Sequence, residues 1–265
     1  MSLDTATLIE AVETGFAMLP EIEGEVSYLN IPGLRGHETA LSHPMVNMIT
    51  STALKPEGAE SAIGRARDHF AKQQKAFGWV VGPSSVPADL GARLEAAGLK
   101  KSFDAAGMAL TDLDVHFRVN PSVRIREVTP EDVAIACETL AEAFPAPREV
   151  VRFMYKVLFK DRVRLKTRLY LAYLEGVKDP VGCSSMGFIP DRPIVHLRGA
   201  ATNKRYRGRG IYSSLLARRL VDAAKDGAQA AVIQAMVTTS APICRRLGFT
   251  KVCDLEFYTW TPQPE

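Results

Sequence analysis

Six residues in the second half of the chain, Arg207-Gly208-Arg209-Gly210-Ile211-Tyr212, constrain it more than any other stretch. They separate an apolar, strand-like run (Ile194 to Thr202) from a helix-like run (Ile211 to Asp226). A glycine-rich turn that opens a helix leaves several backbone N–H groups without intrahelical partners. It aims them at one spot, where the positive end of the helix dipole adds to their field. Such a terminus holds phosphate with little help from side chains. Gly208 and Gly210 also lack the Cβ atoms that would keep a bulky anion off the backbone. The expected ligand is a phosphorylated cofactor.

The 265 residues suffice for one large domain or two small ones. With 46% apolar and 24% charged residues, the composition is that of an ordinary globular protein. No run of about 18 apolar residues occurs, so no membrane span is expected. Met1-Ser2-Leu3-Asp4 lacks the basic start and apolar core of a signal peptide, which makes the cytoplasm the expected location. Cys137, Cys183, Cys244 and Cys253 form no CxxC pair and have no His cluster near them. Free thiols are therefore expected, and no metal.

The net charge of +3 conceals an asymmetry. Residues 1–120 hold 10 basic against 15 acidic side chains, and residues 121–265 hold 23 against 15. The basic half contains the glycine turn. That suits a polyanionic ligand, although nucleic acid would fit the charge equally well.

In the first half, periodicity predicts a helix from Thr5 to Met18 and strands around Gly24–Asn30 and Val46–Thr52. A helix over Gly58–Gln74 and an apolar run at Phe77–Gly82 follow. Ser85-Val86-Pro87 then opens a helix ending at Gly98, and Lys100–Asp114 reads as a pair of strands. Asn120-Pro121-Ser122 reads as a linker, giving expected domains at 1–120 and 123–265.

The second half restarts with the alternating strand Val123–Glu127. Thr129-Pro130-Glu131-Asp132 then supplies an N-cap, a proline at the first helical position and acids in the first turn, for a helix to about Phe144. Pro147–Lys160 reads as a second helix, with strands at Arg168–Leu174, Val181–Phe188 and Ile194–Thr202. The helix after the glycine turn should bury Leu215, Leu216, Leu220, Ala223 and Ala224, with Arg218, Asp222 and Lys225 in water. Ala230–Met236 reads as a central buried strand. A short helix (Ser240–Leu247) and a strand pair (Thr250–Trp260) close the chain. There is also an internal echo: a strand leads into Ser85-Val86-Pro87 and a helix ending at Gly98, and a strand leads into Ser240-Ala241-Pro242 and a helix ending at Gly248. A duplicated fold with one glycine turn, and a chance recurrence, both account for it.

With strand, turn, long helix, next strand and the Leu247-Gly248-Phe249 ending in order, roughly residues 123–260 resemble the GCN5-related N-acetyltransferase (GNAT) family. Its signature is Gln/Arg-x-x-Gly-x-Gly/Ala. Arg207 fills the first position and Gly210 the fourth, while Tyr212 replaces the final small residue. The resemblance implies an α+β (α/β) fold of two GNAT-like copies, each a mixed, mostly antiparallel central sheet flanked by helices, the first copy degenerate. It implies acetyl-CoA as cosubstrate and an amine, small-molecule or peptide, as acceptor. Ala200, Ala201 and Thr202 would offer backbone groups to the pantetheine arm and acetyl carbonyl. Arg207, Gly208, Arg209, Gly210, Ile211, Tyr212 and Ser213 would wrap the pyrophosphate. Lys204, Arg205 and Arg209 are candidates for the ribose 3′-phosphate.

The catalytic groups are less well marked. Counting back from Leu247-Gly248-Phe249, the position where the family often has a Tyr to protonate departing thiolate is Cys244. A weak acid, a small core residue and a nucleophile carrying the acyl group are the open readings for it, the last with no His or Asp neighbour in evidence. Tyr258 is a second candidate donor. The family's usual glutamate base has no counterpart, since no acidic residue lies between Pro193 and Arg209. His196 has the right pKa range for a base or serves as a core histidine, with Asp191 and a water chain as alternatives.

An N-acetyltransferase is thus the leading expectation. A regulatory acyl-CoA binder with little turnover is the alternative. A nucleic-acid binder would use Lys204, Arg205, Arg207, Arg209, Arg218 and Arg219, but only Tyr206 and Tyr212 could stack bases, so no nucleic-acid partner is expected. The acidic first half is expected to shape the acceptor slot or to mediate a homodimer.

Overall fold

A computed structural model of the chain describes residues 3–15, 19–115, 118–144, 146–160 and 163–262. Helix α1 (Thr5–Thr14) is capped by Asp4, whose carboxylate accepts from the Thr7 N–H at 2.8 Å. The expected extension to Met18 falls partly on residues 16–18, outside the described residues, as do Met1 and Ser2. Strands β1 (Val26–Tyr28), β2 (Leu34–Thr39) and β3 (Met48–Thr52) pair antiparallel in succession. Periodicity missed β2 because a register shift at Arg35/Gly36 interrupts its alternation.

Helix α2 (Ala59–Lys72) leads to β4 (Phe77–Val81), which runs parallel to β3. Helix α3 (Leu90–Ala96) and β5 (Lys100–Leu110) follow. The strand pair expected over Lys100–Asp114 is instead this single strand. Its Gly107 is a packing glycine rather than a turn: a Cβ there would lie 2.4 Å from Cys253 Sγ.

The second half gives β6 (Val123–Glu127), α4 (Val133–Ala143), α5 (Arg148–Lys160), β7 (Arg168–Leu174), β8 (Gly182–Phe188) and β9 (Ile194–Thr202). Helix α6 (Ile211–Lys225), β10 (Ala230–Met236), α7 (Ser240–Arg246) and β11 (Thr250–Trp260) complete it. Thr129 and Asp132 form a capping box at the 3₁₀ turn that enters α4. The final stretch, expected as two strands, is one.

Two compact units result, neither contiguous in sequence. One holds Ala109–Ile233 and Arg246–Thr250; the other holds Asp4–Met108, Gln234–Arg245 and the stretch from Lys251 onward. Both are built on mixed, mostly antiparallel sheet flanked by helices. The order β1-β2-β3-α2-β4 recurs as β7-β8-β9-α6-β10 with the same pairing senses, two antiparallel pairs and then a parallel one.

In the unit built on Asp4–Met108 the strand order is β1-β2-β3-β4-β11-β5. Its core joins Phe70, Phe77, Trp79, Leu90, Leu94 and Tyr258, with Phe70 and Phe77 stacked at 4.4 Å. The buried Trp79 indole N–H is satisfied by Thr52 Oγ1 at 2.9 Å.

In the unit built on Ala109–Ile233 the order is β10-β9-β8-β7-β6. Leu169 and Leu171 of β7 pack with α4 and α5, among Leu140, Val151 and Tyr155. The side chain between them, Tyr170, points the other way and donates to Asp222 of α6 at 2.9 Å. The helices therefore cover both faces.

Helix α6 buries Leu215, Leu216, Leu220 and Ala223, as its pattern requires. Three assignments are corrected. Asp222, expected in water, is buried, because Tyr170, Arg218 (2.8 Å) and Arg168 (3.6 Å) converge on its carboxylate. Ala224, expected inside, is exposed. Arg219, a candidate phosphate contact of the nucleic-acid reading, is fully buried and donates to the carbonyls of Leu215 and Ser185. Among the described residues no helix is long and apolar enough to cross a membrane.

Candidate functional site

The parallel ladder between β9 and β10 covers three positions, Ile194–His196 against Ala230–Val232. Leu197–Thr202 continues past it. On the other edge β9 pairs with β8 throughout, but the register passes from Ser185↔Arg198 to Cys183↔Ala201. Gly199 and Ala200 thus oppose Ser184 alone, a β-bulge, with Gly199 at φ 57°. Bulges leave carbonyls out of the ladder, and side chains take them here. Ser185 Oγ donates to the Arg198 carbonyl at 3.1 Å, and Tyr155 Oη to the Gly199 carbonyl at 3.4 Å.

Past Thr202, Asn203 caps a short 3₁₀ turn (Lys204–Tyr206) by accepting from the Arg205 N–H at 3.1 Å. Arg207 Nε donates back to the Thr202 carbonyl at 3.3 Å. Gly208 (φ 77°) and Gly210 (φ 71°) are both left-handed, a region that costs other residues about 1–2 kcal/mol. Gly210 is the N-cap of α6. Its carbonyl accepts from the Ser214 N–H at 3.0 Å and from the Ser213 and Ser214 hydroxyls at 2.9 Å each. The Arg209 carbonyl accepts from Asn120 Nδ2 at 2.9 Å.

These carbonyls fix the direction of the amides. In a trans peptide N–H and C=O point opposite ways. With the Arg209 carbonyl held by Asn120 and the Gly210 carbonyl by the first turn of α6, the N–H groups of Gly210 and Ile211 point away from those partners, beside the orphan donors of the first helical turn. A Cβ on Gly208 would meet nothing within 4 Å, so the outer face of the turn is open. Arg207 and Arg209 are exposed beside it, the latter 5.7 Å over the Tyr206 ring. A diphosphate fits this set: bunched N–H donors, a helix terminus and exposed cations beside open space at Gly208.

Ala200, Ala201, Thr202 and Arg207 through Ser213 therefore lie consecutively along one edge and one turn of a single unit. Within the run, Ile211 contributes its amide, since its side chain is buried. His196 is in the same unit, buried in β9 opposite Gly187 and Val232. The other two catalytic candidates belong to the second unit. Cys244 is fully buried in α7. Tyr258 is on β11, its hydroxyl donating to Glu256 at 2.9 Å, and burial pushes its phenol up to about 12. Among the described residues no three His, Cys, Asp or Glu side chains cluster as metal ligands would.

Two groups escaped sequence reasoning. Asn120 was read as linker, yet its amide braces the turn across 89 residues. Tyr155 is buried in the helix expected over Pro147–Lys160, but nothing in the pattern marks where its hydroxyl goes.

A model of the acetyltransferase (GNAT) family matches residues 134–249. No curated protein matches the chain. Among solved structures, a GCN5-related N-acetyltransferase from Kribbella flavida is 16% identical, with a TM-score of 0.72 over 100% of this chain and 97% of that one. One from Sphaerobacter thermophilus is 17% identical, with a TM-score of 0.62 over 100% and 95%. A tandem GNAT protein from the clavulanic acid biosynthesis pathway is 17% identical, with a TM-score of 0.61 over 96% and 88%. These likenesses show a shared fold. The family match places a GNAT acetyltransferase domain at residues 134–249, the stretch carrying the glycine turn and α6.

Proposed function

We propose that the protein is an N-acetyltransferase that moves an acetyl group from acetyl-CoA to an amine, small-molecule or peptide. The observation that carries this reading is the course of β9. It leaves its parallel ladder at His196, bulges at Gly199, and leads through a short 3₁₀ turn into a glycine turn whose carbonyls are held by Asn120 and α6, leaving its amides pointing the other way.

In this reading the amides from Gly208 to Ser213 hold the pyrophosphate, and Lys204, Arg205 and Arg209 hold the ribose 3′-phosphate. The edge from Ala200 to Thr202 lines the pantetheine arm. Acetyl-CoA supplies the activated acyl group. The chain supplies position and backbone donors, and a well-aimed oxyanion donor typically contributes about 3–4 kcal/mol. Neither needs a special side chain. The repeated order of strands and helices supports two GNAT-like copies with the cofactor turn in the second, where the first has Pro56-Glu57-Gly58 ahead of α2. The complete burial of Cys244 favours one second reading, an acyl-CoA-binding regulatory protein with little turnover.

The test is thiol release from acetyl-CoA across a broad amine panel. The reading expects release that depends on both protein and amine. Thermal stabilisation by acetyl-CoA with no release from any amine would favour the regulatory reading instead.

A further inference from the structure

Two neighbouring carbonyls of β9, those of Arg198 and Gly199, are held by side chains from different directions. Ser185 of β8 takes the first at 3.1 Å, and Tyr155 of α5 takes the second at 3.4 Å. Arg219 of α6 then fixes Ser185 itself through its carbonyl at 3.2 Å. The bulge is clamped from both faces of the sheet and from the adjoining strand. The peptide joining Gly199 to Ala200 is trans, so pulling the Gly199 carbonyl toward Tyr155 turns the Ala200 N–H away from it.

From this geometry we infer that Tyr155 is a positioning residue, whose hydroxyl sets the bulge so that the Ala200 amide faces the acyl-pantetheine of the bound thioester. The inference rests on the acetyl-CoA reading above and adds a residue to it. Burial holds the Tyr155 phenol protonated far above its ordinary range, so its hydroxyl remains a donor wherever the protein is folded. Its other acceptor, Cys183 Sγ at 3.9 Å, is pushed up to about 12 by burial and stays a neutral thiol, a weaker acceptor than the Gly199 carbonyl. A side chain at the bulge would be strained, since Gly199 sits at φ 57° and a Cβ there would lie 3.2 Å from Ser185 Oγ.

The experiment compares wild type with Tyr155→Phe, which keeps the ring and removes the hydroxyl. Three probes are titrated: adenosine 3′,5′-bisphosphate, which lacks pantetheine, then CoA and acetyl-CoA. Loss of one neutral hydrogen bond predicts acetyl-CoA binding about fivefold weaker in Tyr155→Phe. Bisphosphate binding should stay within about twofold of wild type. The Ala200 amide resonance should shift on acetyl-CoA binding in wild type and shift less in the variant. If Tyr155→Phe does not fold, Ser185→Ala loosens the same bulge and is held to the same selective loss. Equal losses for all probes, or an unchanged acetyl-CoA affinity, would overturn the positioning role alone. Bisphosphate binding without tighter CoA binding in wild type would also overturn it, while leaving the anion turn. Wild type that binds none of the three would overturn the acetyl-CoA reading and this inference together.

Discussion

The two turn glycines look alike in sequence, yet the structure gives them different work, and replacing each with alanine separates folding from binding. Both occupy left-handed backbone, so either substitution costs about 1–2 kcal/mol. At Gly208 the added methyl meets nothing within 4 Å, and that conformational cost is the whole effect on stability. At Gly210 the methyl lies 3.3 Å from the Asn120 Cβ, close enough to push back the residue that holds the Arg209 carbonyl at 2.9 Å. Loss of that bond adds about 1 kcal/mol.

Gly210→Ala should therefore destabilise by about 2–3 kcal/mol and Gly208→Ala by about 1–2. A change of 1 kcal/mol moves the melting temperature by about 2–4 °C at this size. A double-mutant cycle with Asn120→Ala, read by denaturant unfolding, sharpens the contrast. Coupling of about 1 kcal/mol is expected for Gly210 and none for Gly208. Binding should rank the other way relative to stability: Gly208→Ala places its methyl on the open face where the diphosphate rests, weakening acetyl-CoA at least about tenfold. Equal stability losses, or coupling between Asn120 and Gly208 rather than Gly210, would refute the assignment of the inward and outward faces of the turn.

Other outcomes follow from buried polar groups. Asp222→Ala strands the Tyr170 hydroxyl and the Arg218 guanidinium, and should cost about 2–3 kcal/mol in chemical denaturation. Asp226→Ala removes a more exposed partner of Arg168 and should cost under about 0.5, so similar losses would contradict the buried-network account. Among the described residues His37 is buried with no ion-pair partner, and desolvation lowers its pKa from 6.5 to about 4. Between those values the unfolded chain binds a proton that the folded chain refuses. The stability from keeping His37 neutral is complete above pH 6.5 and is lost as pH falls toward 4, up to about 3 kcal/mol. A His37→Asn variant should show a flatter decline over that window, and an identical slope would rule His37 out as its source.

Local chemistry made much of this molecule legible before any coordinates. The turn could be read because glycine, cation and helix onset are encoded within six consecutive residues. The capping box at Thr129 and the apolar stripe of α6 are similarly short-range. What escaped was decided by partners distant in sequence. Asp222 reads as a surface acid until Tyr170, 52 residues away, turns its hydroxyl onto it. Arg219 reads as a basic surface residue until Ser185 offers a carbonyl. The single strands β5 and β11 looked like pairs because long alternating runs with small residues resemble hairpins. The grouping of the stretch from Lys251 onward with Asp4–Met108 goes with the pairing of Glu256–Trp260 against Phe77–Val81, which no periodicity announces.

Isothermal titration of the purified wild-type protein with acetyl-CoA and with CoA bears most directly on the amide cradle from Gly208 to Ser213. The account predicts saturable binding of both at one site per chain. It also predicts that Gly208→Glu, which sets a carboxylate on the open face of the turn, abolishes that binding while the circular dichroism spectrum is retained. No binding heat from either ligand with the folded wild type, or undiminished binding by Gly208→Glu, would contradict it.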